Sequence, residues 1–145
     1  MTFSQKVIAA FLFAVLPVAY ACKTSEVALT NRVALKAYQY ARLQNDVTVR
    51  VDSLNDSRCP LGANCIWAGS TFVKATLTKD ADQKQVRLAL GPDTVPGGSQ
   101  QKSDSVGVIL SGATYKVILR DVTPYPSLDQ PSSPATQAII EVTKL

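Results

Sequence analysis

Cys59 and Cys65 are the residues whose type and spacing most clearly permit chemistry in this sequence. Between them lie Pro-Leu-Gly-Ala-Asn, in which proline and glycine favour a tight turn and asparagine tolerates a left-handed backbone. Such a turn brings two Cα atoms within disulfide distance, and closing it would stabilise the fold by about 2 kcal/mol. We therefore predict a disulfide, because the spacing is not the Cys-x-x-Cys of a redox site.

Three neighbours of this pair, in the stretch DSRCPLGANCIWAG (56–69), are candidates for binding a partner. Asp56 and Arg58 are expected in a solvated turn, or alternatively as an ion pair or an arginine inserted into a partner. Trp67 and the apolar residues of 73–77 all have odd numbers. If the strand alternation extends back to Trp67, its side chain faces the core beside the disulfide. A bulge at Gly69 would reverse this alternation and leave Trp67 on the surface for stacking.

The composition argues against several classes of function. The absence of histidine removes Ser-His-Asp and Cys-His catalysis and the commonest ligand of zinc and copper, so we expect no metal, no cofactor and no enzyme. A carboxylate-based hydrolase is the alternative, with Asp52, Asp56, Asp121 and Glu141 as possible pairs. Lysine and arginine are scattered along the chain, whereas nucleic-acid binding requires a clustered basic face; we expect no nucleic-acid partner.

The first residues predict export. A short start with Lys6 precedes an apolar run and the small-x-small exit Ala-Tyr-Ala, which together are typical of a signal peptide at 1–21. VAYAC (18–22) resembles the lipobox of bacterial lipoproteins, which implies that Cys22 carries lipid. Acylation would also leave an even pair of cysteines, whereas ordinary cleavage would leave Cys22 free or in an intermolecular disulfide. The alternative is a soluble periplasmic or secreted protein.

The mature chain has the period-two alternation of half-buried strands. We predict a tether at 22–32 and one domain at 33–145. It is expected to be an all-β, antiparallel, immunoglobulin-like sandwich of about seven strands, or a small barrel. A weak helical spacing in 30–46 competes with a strand there. Loops are expected at 56–66, 91–105 and 123–134, and a hairpin turn at 79–84. The predicted strands centre on 33–37, 47–51, 73–77, 86–90, 106–110, 115–120 and 137–142.

DSRCPLGANCIWAG, followed by a strand and then YKVILRDVTPYP, resembles a group of small exported bacterial proteins and lipoproteins without an assigned activity. They share Asp-Ser-Arg-Cys-Pro, Cys-x-Trp-Ala-Gly and a later Pro-Tyr-Pro, and the likeness covers about residues 33–143. The resemblance implies the compartment and a β architecture. It also marks Tyr125 as a further candidate for partner binding, the alternative being a corner tyrosine that bonds backbone.

These observations lead to one hypothesis of function. We expect an exported, lipid-anchored protein of the bacterial cell envelope, in the outer membrane or periplasm, that is a non-catalytic binding or structural module. Its partner would be an envelope protein or glycan, in addition to the membrane through Cys22. An inhibitor-like protein that presents the clamped 59–65 loop is a further alternative, because rigidity reduces the ordering cost of binding.

Overall fold

The computed structural model describes residues 30–91, 103–129 and 135–145, in which every regular element is a β-strand. The predicted signal peptide and Cys22 lie outside the described residues. The eight strands are β1 (Arg32–Lys36), β2 (Tyr40–Arg42), β3 (Thr48–Asp56), β4 (Thr71–Lys79), β5 (Asp82–Leu90), β6 (Asp104–Leu110), β7 (Ala113–Thr123) and β8 (Gln137–Lys144).

The strands form two antiparallel sheets, ordered β1-β8-β7-β6 and β2-β3-β4-β5. The predicted sandwich is therefore confirmed, and the closed barrel is not formed. Apart from β1 beside β8, neighbours in each sheet are consecutive in the chain. This up-and-down connectivity differs from the Greek-key connections of immunoglobulin domains.

All seven predicted strands are present, and β2 is an additional short strand. It lies in the segment where a helical spacing competed with a strand, and Tyr40 and Arg42 pair with Arg50 and Thr48 of β3. Propensity is weak in this stretch, so the pairing with an existing strand decides its conformation. The hairpin turn at 79–84 is also confirmed, with Asp80 in a left-handed conformation (φ 52°).

One apolar core fills the space between the sheets. Alternate residues of each strand point inward, as the period of two requires. The largest fully buried side chains are Tyr115, Leu43, Leu77, Leu88, Leu110, Leu119, Ile140, Val47, Val49, Val51, Val73 and Val117.

A bulge in each sheet changes which positions point inward. The register shifts between Val51 and Ser53 in β3 and between Leu119 and Asp121 in β7. One extra residue on the bulged strand reverses the alternation beyond it. Val122 is accordingly buried, although the inward residues before the bulge of β7 are odd-numbered.

The two ends of the sandwich are built differently. At the hairpin end lie the turns at 80–81 and 111–112, together with the connection 43–47. At the loop end lie residues 57–70 and 124–129, and β5 finishes there. β1 begins beside the middle of β8 and runs toward the loop end, because Arg32 pairs with Glu141 and Lys36 with Gln137.

Candidate functional site

The bulge in β3 turns a carboxylate toward the interior of the sandwich. Val51 is buried, and because Asp52 is the extra residue, Leu54 and Asp56 take the inward positions that follow. Asp56 pairs with Thr71 of β4, whose hydroxyl donates to Asp56 Oδ1 at 2.8 Å. Asp56 therefore lies at the loop end of the core.

Arg58 pairs with Asp56 and joins the two sheets. Its Nε and Nη2 donate to the two oxygens of Asp56 at 2.8 and 2.7 Å, and Nη2 also donates to the Val122 carbonyl of β7 at 2.8 Å. Each side chain of the pair is only 10% exposed. The prediction of a solvated turn was wrong, because the bulge directs Asp56 inward. Of the expected alternatives, the ion pair is present, but it lies between the sheets.

The charge of Asp56 is stabilised by this arrangement. Burial raises the pKa of its carboxyl, but hydrogen bonds from Arg58 and Thr71 outweigh burial and hold that pKa below its ordinary value of 3.8. A group with a lowered pKa is a poor general acid at neutral pH. Asp56 and Arg58 therefore act as a structural latch, and we call them the Asp56–Arg58 latch.

Gly69, the last residue of the signature, permits a close approach of two backbone segments. Its φ is +72°, and a Cβ there would clash with the carbonyl oxygen of Ser57. Around it, Ser57 N donates to Ser70 O at 2.9 Å and Cys59 N donates to Ala68 O at 2.8 Å. Only glycine fits between these segments without a shift of the backbone.

The predicted disulfide between Cys59 and Cys65 is present, with their Cα atoms 6.0 Å apart. The loop that it closes is bonded to the 124–129 segment, because Leu61 N donates to Pro126 O at 2.9 Å and Leu128 N donates to Leu61 O at 3.1 Å. The loop is thus held both by its own disulfide and by its neighbour.

Tyr125 lies in the same unit as the Asp56–Arg58 latch. The guanidinium of Arg58 is 4.5 Å from the centroid of the Tyr125 ring, which is a cation–π contact. Sequence reasoning marked both residues as candidates, and the structure brings them together. Tyr125 is still 45% exposed, so its ring is accessible to a partner.

Large hydrophobic side chains are exposed on these two hydrogen-bonded segments. We call them the apolar end patch: Leu61, Ile66, Trp67, Tyr125 and Leu128. Ile66 and Leu128 were not singled out in the sequence, although apolar side chains beside loop-forming residues are a usable signal. Exposed apolar side chains occur singly on most proteins, whereas five on two adjoining segments are a candidate interaction site.

The prediction that Trp67 is buried in the core was wrong. Trp67 is 55% exposed. The alternation extrapolated from 73–77 fails because β4 begins only at Thr71, and Gly69 interrupts the extended backbone before it. The alternative, a surface aromatic, is the one that the structure shows.

The other candidate carboxylates lie apart from this site. Asp52 is on the outer face of one sheet, bonded to Arg50 and Thr76, and Glu141 is on the other sheet, bonded to Arg32 and Arg120.

The pKa values of Asp52 and Glu141 are both lowered. Arg120 and Arg32 hold the pKa of Glu141 below its ordinary value; for Asp52, burial raises the pKa, but hydrogen bonds from Thr76 and Arg50 outweigh it. Asp121 is exposed and bonds the Val122 amide. The alternative function, a carboxylate-based hydrolase, stays a prediction. The positions of Asp52, Asp121 and Glu141 do not support it.

Within the described ranges, no group of three or more cysteine, aspartate or glutamate side chains is placed to hold a metal ion. The same part of the chain has no helix that is long and apolar enough to cross a bilayer. Of the predicted loops, residues 92–102 and 130–134 lie outside the described residues. Comparisons with family models, curated proteins and solved structures found no match to this chain.

Proposed function

We propose that this chain is an exported, lipid-anchored module of the bacterial cell envelope that binds another envelope protein through the apolar end patch. The observation that carries the proposal is the exposure of five large hydrophobic side chains on two segments that are bonded to each other. Exposing such a patch favours aggregation, so a protein benefits from it only if something covers it.

The supporting structure beneath the patch also favours binding. The disulfide, the Leu61 hydrogen bonds and the buried latch all restrict the segments that bear the patch. A surface that is already ordered loses less conformational entropy when a partner docks. Aromatic side chains on a rigid surface are frequent anchors of protein interfaces.

A protein partner fits the chemistry of the patch better than a glycan. Three of the five side chains are aliphatic, whereas sugar recognition needs polar groups directed at hydroxyls. Arg58, which lies against the Tyr125 ring, and Asp56 are already bonded to each other and to backbone. An apolar surface of a protein is therefore the partner that we propose.

The proposed anchor is compatible with this use. Residue 22 lies ten positions before Arg32, at which β1 begins, and β1 runs from there toward the loop end. Asn31, just before β1, is bonded to Val142 on the side of the hairpin end, so the chain enters β1 from the side away from the patch. Intact mass spectrometry of membrane-purified protein tests export: acyl mass on a chain that begins at Cys22 supports the anchor, and an unmodified chain contradicts it.

Binding is tested by photo-crosslinking in cells. A photoreactive amino acid at Leu61 is compared with one at Tyr40, which is as exposed (61% and 62%) but lies on a sheet face. We expect one protein to crosslink from position 61 and not from 40, and the purified partner to bind the wild type but to bind Trp67→Ala more weakly. Equal crosslinking from both positions, or binding that ignores Trp67→Ala, contradicts the proposal.

A further inference from the structure

Two exposed tyrosines lie close together where the chain passes from β1 to β2. Tyr38 is 82% exposed, and Tyr40, the first residue of β2, is 62% exposed. The Tyr38 amide donates to the Val51 carbonyl of β3 at 2.7 Å, and Tyr40 pairs with Arg50 of the same strand. Both tyrosines are therefore fixed by their backbones beside β3, at the β2 edge of its sheet.

The backbone of Tyr38 indicates that its side chain has a role outside the fold. Its φ is +65°, in the left-handed region. Among the residues that the structure describes, the other non-glycine residues in this region are Asp46, Asp80 and Ser111, which have short polar side chains. A bulky residue is unusual there, and backbone strain of this kind concentrates at functional positions. Because the Tyr38 ring is exposed, packing of the core does not account for it.

A row of polar side chains continues from Tyr40 across the outer face of the sheet. Residues that pair directly have their side chains on the same face, and the row consists of Tyr40, Arg50, Thr76 and Gln85. The bulge adds Asp52, whose Oδ1 accepts from Arg50 Nε at 2.8 Å. Its Oδ2 accepts from Thr76 Oγ1 at 2.6 Å and from Gln85 Nε2 at 3.2 Å. One carboxylate thus holds polar side chains of three neighbouring strands in place beside Tyr40.

The charges of this row are paired, because its one arginine and its one aspartate are bonded to each other. The next row toward the loop end carries Lys74 and Arg87, and the next row toward the hairpin end carries Arg42, which is bonded to Asp46. The row itself therefore offers hydrogen-bond donors and acceptors, including the amide oxygen of Gln85, rather than a net charge. An apolar protein surface would bury these groups unpaired, which is costly.

We propose that this outer face binds a neutral carbohydrate, with a sugar ring stacked on Tyr40 and its hydroxyls bonded to Arg50 and Gln85. The C–H face of a sugar ring is apolar and packs on an aromatic ring, whereas its hydroxyls both donate and accept. Arginine supplies donors, and the glutamine amide supplies an acceptor. Tyr38, two positions away, offers a second ring for a neighbouring sugar unit. The apolar end patch lacks such directed polar groups, so the two surfaces bind different classes of partner.

The test is a titration of the isotope-labelled mature protein with three neutral probes, maltohexaose, cellohexaose and chitohexaose, followed by the NMR signals of the backbone amides. We expect at least one sugar to bind saturably and to shift the signals of residues 38–42 and 50–52 but not those of 61–67. Tyr40→Ala should weaken binding on the order of tenfold, because the stacking ring is lost. Trp67→Ala, which removes an exposed ring from the apolar end patch, is the matched control and should bind as the wild type does.

Tyr38→Gly separates the fold from recognition at that position. Glycine adopts a left-handed backbone without strain, so the Tm should equal or exceed that of the wild type, whereas sugar binding should weaken several-fold. Asp80→Gly makes the same backbone change in the hairpin turn and should leave binding unchanged. A lower Tm with unchanged binding would assign the Tyr38 ring to the fold and contradict its place in the site.

Four results would overturn the proposal. They are the absence of saturable binding by all three sugars, equal binding by Tyr40→Ala, an equal loss in Trp67→Ala, and binding of polygalacturonate alone that salt abolishes. Sedimentation velocity is run alongside, because a dimer that Tyr40→Ala disrupts would make a second copy the occupant and also contradict the proposal. Thermal melting of Tyr40→Ala should give the wild-type Tm, which distinguishes a binding defect from misfolding.

Discussion

The two sheets are joined at the hairpin end by neutral and exposed polar groups and at the loop end by a buried ion pair. At the hairpin end, Asn45 Nδ2 donates to Val142 O at 3.0 Å, and the turns carry small or polar residues. At the loop end, the Asp56–Arg58 latch spans the sheets, and the loops above it carry exposed hydrophobic side chains.

The comparison shows that the residues that cover the core and the residues that are exposed on the loops are different sets. At the hairpin end, short turns of small or polar residues suffice, although Ile109 and Leu145 beside the 111–112 turn are exposed. At the loop end, the latch and Thr71 cover the core with satisfied polar groups. The hydrophobic side chains of the loops are therefore not required for the core, and they lie where a partner can contact them.

The largest effect is expected at a glycine, and Gly69 at the loop end and Gly112 at the hairpin end both have a positive φ. In Gly69→Ala the new Cβ meets the Ser57 carbonyl, whereas Gly112→Ala at the hairpin end meets nothing within 4 Å. We expect Gly69→Ala to lose about 4 kcal/mol of unfolding free energy through strain and overpacking, and Gly112→Ala about 1 kcal/mol. Urea denaturation measures both. Similar losses would show that the close approach at the loop end is unimportant.

The next effect concerns the latch. Arg58→Met keeps the length of the side chain but leaves the Asp56 carboxylate buried without its counter-ion. We expect a loss of about 3 kcal/mol. The matched control is Arg50→Met, which breaks the Arg50–Asp52 pair, whose arginine is 58% exposed, and should cost less than about 1 kcal/mol. Equal losses in urea denaturation would contradict a special role for the buried pair.

The alternation of side chains explains which parts of the structure were predictable. The sandwich, the seven main strands and the Cys59–Cys65 disulfide follow from period-two patterns and turn residues, which are local signals. The latch was not predicted, because the bulge at Asp52 that turns Asp56 inward leaves only one mark in the alternation, the change from odd-numbered Val51 to even-numbered Leu54. The contact of Arg58 with Val122 and Tyr125 joins residues more than sixty positions apart, which one sequence does not reveal.

A smaller effect is expected on the pH dependence of stability. The pKa of Asp56 is lowered in the folded protein, so its ionised form stabilises the fold above the ordinary, unfolded pKa of 3.8. That contribution is lost as pH falls through the folded pKa. Asp56→Asn lacks it at every pH. Urea denaturation from neutral to strongly acidic pH should therefore show a gap between wild type and variant that narrows below about pH 4. A constant gap would contradict this origin of the stability.

The smallest effect on stability is expected from Trp67→Ala, and it separates the two interpretations of that tryptophan. A core tryptophan would cost about 3–5 kcal/mol on truncation. Because Trp67 is 55% exposed, we expect a change within about 0.5 kcal/mol. Leu88→Ala, at a fully buried position of β5, is the control and should cost about 2–5 kcal/mol. If Trp67→Ala loses as much unfolding free energy in urea denaturation as Leu88→Ala does, Trp67 is part of the core. Its assignment to the apolar end patch is then wrong. A small loss leaves recognition as the reason for a tryptophan at this position.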